Sequence, residues 1–164
     1  FLDVFCPFLR NLHEYLERRL NDKIQQKYKY IVCIADGARD LWRYFQRKYP
    51  NTIHVVDFFH FCEHLSNLSN LLFADSSQAK AWYKKYRTIL KEDPKGAAKT
   101  IRAARYRRSL KKEHPEIESE IKYLQRNRKR MNYFQLRQQK LPIGSGVVEA
   151  ACKNLIGARM KKSG

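Results

Sequence analysis

The spacing of apolar residues along the chain predicts helices and two short strands. Over roughly residues 4–26, apolar positions recur at helical spacing and predict a first helix. The continuous apolar run from Tyr30 to Ala35 is typical of a buried parallel strand. Residues 38–48 have a helical pattern, Ile53–Val56 form a second buried run, and residues 58–73 predict another helix. This strand–helix–strand–helix order predicts that the two strands are parallel.

Strand patterns disappear after about residue 76. The segments AWYKKYRTIL, KGAAKTIRAARYRRSLKK and EIESEIKYLQRNRKR predict three helices, separated at Pro94, Gly96 and Pro115. The tripeptide Gly144-Ser145-Gly146 predicts a turn, and a last helix is expected from about Val147. The predicted fold class is therefore α/β, with a mostly helical and basic second half.

Charge divides the chain more sharply than hydrophobicity does. The 164 residues include 34 Lys and Arg but 16 Asp and Glu, a formal net charge of +18. Residues 1–75 have a net charge of +1, whereas residues 76–164 have +17. Such an excess predicts binding to a polyanion, with the basic half meeting phosphate. Candidate phosphate contacts on the basic helices are Arg105, Arg108, Arg128 and Arg130.

Several protein classes are not expected. The cysteines (Cys6, Cys33, Cys62, Cys152) are far apart and form no CxxC pair, so neither a disulfide framework nor a zinc ribbon is predicted. A reducing compartment, the cytoplasm, is expected. No run of about 18 apolar residues predicts a membrane span. Because the chain begins with Phe1, we expect a fragment of a longer protein.

Two aspartates stand at the carboxyl ends of the predicted strands. Asp36 follows the first and Asp57 follows the second. Ligands bind at that edge of an open α/β sheet, but Asp is also a common N-cap of the following helix. The Asp36-Gly37 pair favours function for Asp36, and for Asp57 both roles stay open.

A histidine pair follows the second aspartate. Asp57 and His60 share one side of a helix start, and His64 comes one turn later. Three such ligands could hold zinc, although the spacing is not that of a known zinc motif. The simpler interpretation is a structural His60 bonded to Asp57.

Three stretches resemble one protein family when they are taken together. IADGARDLWRYFQRKYP, IHVVDFFHFCEHL and NRKRMNYFQLRQQKLPIGSGVVEAACKNLIGARMKKSG are similar to prokaryotic insertion-sequence transposases of the DDE class, with a Mutator-like arrangement. The GSGVVEAACK segment is the most specific. The resemblance implies an RNase H-like catalytic core that carries two Asp and one Glu, with a helical insertion before the Glu.

The resemblance also assigns residues. Asp36 matches the second acid and Glu149 the third, while Asp57 and His60 match an Asp-x-x-His element that follows the second acid. A rival register makes Asp57 the second acid. The first acid has no match and is expected before Phe1, so these 164 residues alone are expected to be inactive.

Domain limits and chemistry follow from the same resemblance. Residues 1–75 would be the first part of the core, 76–140 the basic helical insertion, and 141–164 the returning catalytic helix. Asp36 and Glu149 would bind Mg²⁺ or Mn²⁺ for strand cleavage and transfer at element ends, in the nucleoid-associated cytoplasm. Further DNA contacts would come from Lys153, Arg159, Lys161 and Lys162.

Other interpretations remain open at the level of sequence. The partner would be DNA, both element ends and target, and homo-oligomerisation of the full-length protein is left undecided. The alternative function is a non-catalytic DNA-binding domain of the same fold, which would bind DNA without a metal.

Overall fold

A computed structural model describes residues 29–110 and 114–146 of the chain. The helices predicted over residues 4–26 and from Val147 lie outside these ranges. The elements, in chain order, are β1 (Val32–Ala35), α1 (Arg39–Lys48), β2 (Ile53–Val56), α2 (Phe58–Leu72), α3 (Ser76–Glu92), α4 (Gly96–Ser109), α5 (Pro115–Asn127), a 3₁₀ turn (Arg128–Arg130) and α6 (Tyr133–Gln138).

The two strands form a small parallel sheet. The Ile53 amide donates to the Ile31 carbonyl at 2.9 Å, and the Asp57 amide donates to the Ala35 carbonyl at 2.8 Å. The predicted pairing is confirmed, and β2 has the predicted bounds, whereas β1 begins two residues later than predicted. The fold is mixed α/β and mostly helical in the described part of the chain.

The described residues divide into two compact units. One comprises residues 29–33 and 38–53, and the other comprises 34–37, 54–110 and 114–146. In the first unit, aromatic side chains of α1 and the following turn pack edge to face or at a tilt, with the Tyr44 and Phe45 ring centroids 5.8 Å apart. Its buried aromatic residues are Trp42, Tyr44, Phe45 and Tyr49.

The second unit is built around α2. Helices α3, α4 and α5 each pack against α2, and α4 also packs against α3 and α5. Apolar residues at helical spacing supply the buried faces, because side chains three and four positions apart share one side of a helix. Deeply buried examples are Phe61, Leu65, Leu68, Ala104, Ile117 and Leu124. No described helix is long and apolar enough to span a bilayer.

Helix α6 was not predicted, because it is only six residues long. It ends in a Schellman motif, in which the Leu141 amide donates to the Leu136 carbonyl and the Lys140 amide donates to the Arg137 carbonyl. Lys140 has φ 57°, a left-handed conformation that usually favours glycine. This motif stops the helix and redirects the chain into residues 141–146.

Candidate active site at the strand ends

Asp57 anchors two separate pieces of backbone at the end of β2. Its Oδ1 accepts from the amides of Phe59 at 2.7 Å and His60 at 3.2 Å, so it caps α2. Its Oδ2 accepts from the amide of Ser145 at 2.6 Å. The capping interpretation of Asp57 is therefore confirmed, and the second carboxylate oxygen holds the Gly-Ser-Gly turn as well.

These bonds set the ionisation of Asp57. Burial alone would raise the pKa of the carboxyl group, because it disfavours the charged form. The hydrogen bonds from Ser145, and those from the amides of His60 and Phe59, stabilise the charged form and outweigh burial. The pKa of Asp57 therefore lies below its ordinary value, and the group is a carboxylate at neutral pH.

Helix α6 and the segment that follows it form further hydrogen bonds with the end of β2. The buried Tyr133 hydroxyl donates to the Val56 carbonyl at 3.0 Å, and the Phe58 amide donates to the Ile143 carbonyl at 2.9 Å. A Cβ at Gly144 would lie 2.9 Å from Cδ2 of the exposed Phe59 ring, so replacing this glycine would force the ring to shift. Residues far apart in sequence thus meet at the strand end.

Asp36, at the end of β1, lies in a different environment. Its side chain is exposed. The N-cap residue of α1 is Ala38, so Asp36 does not occupy the N-cap position that was its alternative role. Asp36 follows the Ala35 carbonyl that accepts from the Asp57 amide, which places both aspartates at one edge of the sheet.

Helix α5 reaches this edge through Tyr123. A Cβ at the buried Gly37 would lie 2.2 Å from Tyr123 Cε2 and 2.7 Å from its hydroxyl oxygen. The hydroxyl is buried and has no hydrogen-bond partner. Burial first, and then the charge of Asp36, raises the pKa of Tyr123 well above its ordinary value. An un-ionised phenol from the insertion thus lies next to the end of β1.

Sequence analysis did not assign Tyr123 to the site. Tyr123 is two positions from Ile121 and six from Ile117, so it lies off the face that Ile117, Ile121 and Leu124 share, and helical spacing gave no sign of its burial. The signal that could have found it is Gly37, because a glycine after a strand-end acid can mark a close approach by another element.

The two histidines bond to glutamates rather than to Asp57. His64 Nδ1 lies 2.7 Å from Glu120 Oε2, and the His64 ring stacks on Tyr123 at 3.7 Å between centroids. His60 Nδ1 lies 3.2 Å from Glu63 Oε2. The expected bond from the His60 side chain to Asp57 is therefore wrong, because the Asp57 bond comes from the His60 backbone amide.

The zinc alternative gains no support from this arrangement. Within residues 29–110 and 114–146, no group of three or more His, Cys, Asp or Glu side chains is placed to hold a metal ion. Both carboxylate oxygens of Asp57 accept hydrogen bonds from backbone amides, and His64 Nδ1 lies 2.7 Å from Glu120 Oε2.

The predicted DNA-contact arginines have different environments. Arg105 and Arg128 line a cleft between α4 and α5. Arg108 forms an ion pair with Glu118, and Arg130 donates to the Asn127 side-chain oxygen at 3.3 Å. Burial and the nearby Arg126 lower the pKa of Arg130.

Five predicted site residues lie outside the described residues, namely Glu149, Lys153, Arg159, Lys161 and Lys162. The comparisons with known proteins add no relative. No protein-family model, curated protein or solved structure gives a significant match to this chain.

Proposed function

We propose that this chain is part of the RNase H-like catalytic domain of a DDE-class transposase, which cuts and joins DNA at insertion-sequence ends. One observation carries the proposal. The carboxyl ends of two parallel strands hold Asp36 and Asp57, and the turn that precedes Glu149 is hydrogen-bonded to Asp57. The ends of both strands and the turn before Glu149 therefore lie together, which supports the proposal.

The length of chain between Ser145 and Glu149 limits the distance of Glu149 from Asp57. Ser145 is bonded to Asp57, and Glu149 follows Ser145 by four residues. Four residues span at most about 14 Å even when they are fully extended. This length of chain allows Glu149 to reach the strand ends, as its proposed role as the third acid requires.

The different exposure of the two aspartates supports Asp36 as the second acid. Both Asp57 oxygens accept backbone amides, so that carboxylate is committed to holding α2 and the turn. Asp36 is exposed at the same edge and lies two positions before the N-cap residue of α1. In this proposal Asp36 and Glu149 supply oxygen ligands, which suit Mg²⁺ or Mn²⁺. A bound pair of such ions would stabilise the attacking and leaving oxygens of a phosphodiester.

Other residues have supporting roles in this proposal. Asp57 positions the turn, and the backbone of His60 completes its cap. The Tyr123 phenol excludes water from the Gly37 side of the edge, since it is buried there. The DNA backbone is bound by the predicted arginines of α4 and the 3₁₀ turn and by the predicted basic residues that follow Glu149, in a nucleoid-associated cytoplasmic setting, with element ends and target DNA as partners.

Metal binding gives the first test, because it does not require turnover. Mn²⁺ broadens the NMR signals of nearby nuclei, so titration should broaden amides around residues 35–37 first. Asp36→Asn and Glu149→Gln should each weaken the broadening, while Asp40→Asn, an exposed carboxylate paired with Arg43, should leave it unchanged. Equal broadening in the wild type and in Asp36→Asn would contradict the proposal.

Strand cleavage in the full-length protein gives the second test. Mg²⁺-dependent cutting of DNA should be lost in both Asp36→Ala and Glu149→Ala, because each removes a proposed metal ligand. Activity that survives both substitutions would exclude this mechanism.

A non-catalytic DNA-binding domain of the same fold is the second candidate. The arginine-lined cleft between α4 and α5 favours it, because that surface needs no metal. This function predicts salt-sensitive DNA binding that is unchanged by a chelator, together with no Mn²⁺ effect at residues 35–37.

A further inference from the structure

An arginine-rich cleft of about 450 Å³ lies between α4 and α5, apart from the strand ends. It is lined by residues of both helices and of the 3₁₀ turn: Ala98, Ile101, Arg102, Arg105, Gln125 and Arg128. Ile101 is buried and gives the cleft an apolar base. Among the residues that the structure describes, no acidic side chain lines it.

The three arginines converge from two directions. Arg102 and Arg105 are three positions apart on α4 and share one face, whereas Arg128 begins the 3₁₀ turn after α5. All three are exposed. Within the described ranges, no carboxylate lies within ion-pair distance of any of them. Their charges are therefore available to an anion from outside.

Neighbouring arginines on the same helix show the contrast. Arg108 is paired with Glu118, and the Arg107 guanidinium lies 4.2 Å from the centroid of the Phe73 ring. These two are engaged within the fold. Among the described residues, the cleft arginines have no such acidic or aromatic partner, which distinguishes them from Arg107 and Arg108.

One cleft arginine is held in position by a neutral partner. With the Gln125 amide oriented so that its oxygen faces α4, that oxygen accepts from Arg105 Nε at 2.7 Å and from Nη2 at 2.5 Å. The bond orients the guanidinium without cancelling its charge. Less side-chain freedom is then lost when a ligand binds.

The chemistry of the cleft selects its ligand class. Guanidinium groups form paired hydrogen bonds with phosphate oxygens, and three of them in one concavity repel each other until an anion binds. The excess charge of +17 on residues 76–164 favours a polyanion over a single small anion.

We propose that the cleft between α4 and α5 binds the phosphodiester backbone of a DNA strand, with Arg102, Arg105 and Arg128 each contacting a phosphate. This inference rests on the DNA-binding part of the proposed function. It is independent of the strand-end carboxylates and of any metal.

The test is the salt dependence of duplex DNA binding by the 164-residue chain, measured by fluorescence anisotropy in EDTA. Each lost phosphate contact lowers the slope of log K against log salt by about 0.9. For Arg102→Gln/Arg105→Gln/Arg128→Gln, the total loss should be about 2.7. Raising the salt from about 50 to 200 mM should then weaken wild-type binding about 40-fold more than binding by the variant.

Two matched variants sharpen the result. Lys80→Gln/Lys84→Gln/Lys85→Gln removes the same charge from α3, outside the cleft, and should leave the slope nearly unchanged. The triple Arg→Lys variant of the cleft should keep the slope but bind more weakly, because lysine lacks the paired hydrogen bonds. If the triple Gln variant fails to fold, each single variant should lower the slope by about 0.9.

The contradicting outcomes are distinct from failure of the catalytic proposal. A slope that is unchanged in the cleft variants, or lowered equally by the α3 variant, would overturn the inference. Tighter binding of inorganic pyrophosphate than of DNA would overturn it too, because it would indicate a small-phosphate site. Loss of Mn²⁺ binding at Asp36 would leave all of these measurements unaffected.

Discussion

The ends of β1 and β2 have the same residue type at the same place, yet the two aspartates have different surroundings. At the end of β2, Asp57 is 7% exposed and accepts three backbone amides. At the end of β1, Asp36 is exposed and leaves the capping position of the next helix to Ala38. The environment of a strand-end carboxylate therefore depends on which distant part of the chain packs against it. The turn at Ser145 packs against Asp57, whereas the buried phenol of Tyr123 lies next to the residue after Asp36.

Removal of the Asp57 side chain should have the largest effect on stability. Asp57→Ala loses an N-cap, which costs about 0.5–2 kcal/mol, and leaves the Ser145 amide without its acceptor, which adds about 1–3 kcal/mol. We expect a loss of about 2–4 kcal/mol in urea unfolding. Asp75→Ala is the matched control, because Asp75 caps α3 from an exposed position and should cost about 1 kcal/mol. Equal losses would mean that the Ser145 bond contributes nothing.

Filling the space next to Asp36 should have the next largest effect. Gly37→Ala forces a Cβ against the Tyr123 ring and should cost about 1–3 kcal/mol, because buried rings tolerate overpacking poorly. Gly146→Ala is the control, since its Cβ would lie 3.8 Å from Phe59, an ordinary contact. In a double-mutant cycle with Tyr123→Ala, the double variant should lose less stability than the sum of the single variants. Strict additivity would exclude the contact.

Lowering the pH should reduce the free energy of unfolding through Asp57 at the end of β2. Because the pKa of Asp57 is lowered on folding, its contribution is fully present above the ordinary value of 3.8 and is lost as the pH falls through the folded pKa. Unfolding free energy should therefore fall below about pH 4 in the wild type. Asp57→Asn, which cannot titrate, should show a shallower decrease. If the unfolding free energies of the wild type and Asp57→Asn fell equally as the pH was lowered, the bonding described for Asp57 would be contradicted.

Neutralising Asp36 should have the smallest effect on stability. Asp36→Asn changes an exposed side chain that is not at an N-cap position, so unfolding free energy should stay within about 0.5 kcal/mol of the wild type. The same variant should lose the Mn²⁺ response. A stability loss as large as that of Asp57→Ala would remove the contrast between the two strand ends.

The sequence predicted the elements better than it predicted the site. The apolar runs identified β2 to the residue, and helical spacing identified α2 to within one residue, because local patterns decide both. Helix α6 was missed, since six residues give little periodicity. The capping role of Asp57 was among the predicted options, but its bond to Ser145 joins residues 88 apart and has no local signal.

Side-chain partners were the least predictable feature. His60 was expected to bond to Asp57 through its ring, but its ring lies next to Glu63 and only its amide reaches Asp57. Likewise, the charge excess predicted phosphate contacts without separating Arg108, which is paired with Glu118, from Arg105 in the cleft. These distinctions depend on packing between helices, which spacing along one helix does not encode.

The separation of the Asp36 and Glu149 carboxylates in a crystal grown with Mn²⁺ is the most direct test of the proposed catalytic site. We expect the two groups to lie within roughly 8 Å of each other, close enough to share metal ions about 3.5–4 Å apart. A Glu149 that lies beside Asp57 and far from Asp36 would establish the rival register. A Glu149 that lies near neither aspartate would contradict the proposed site.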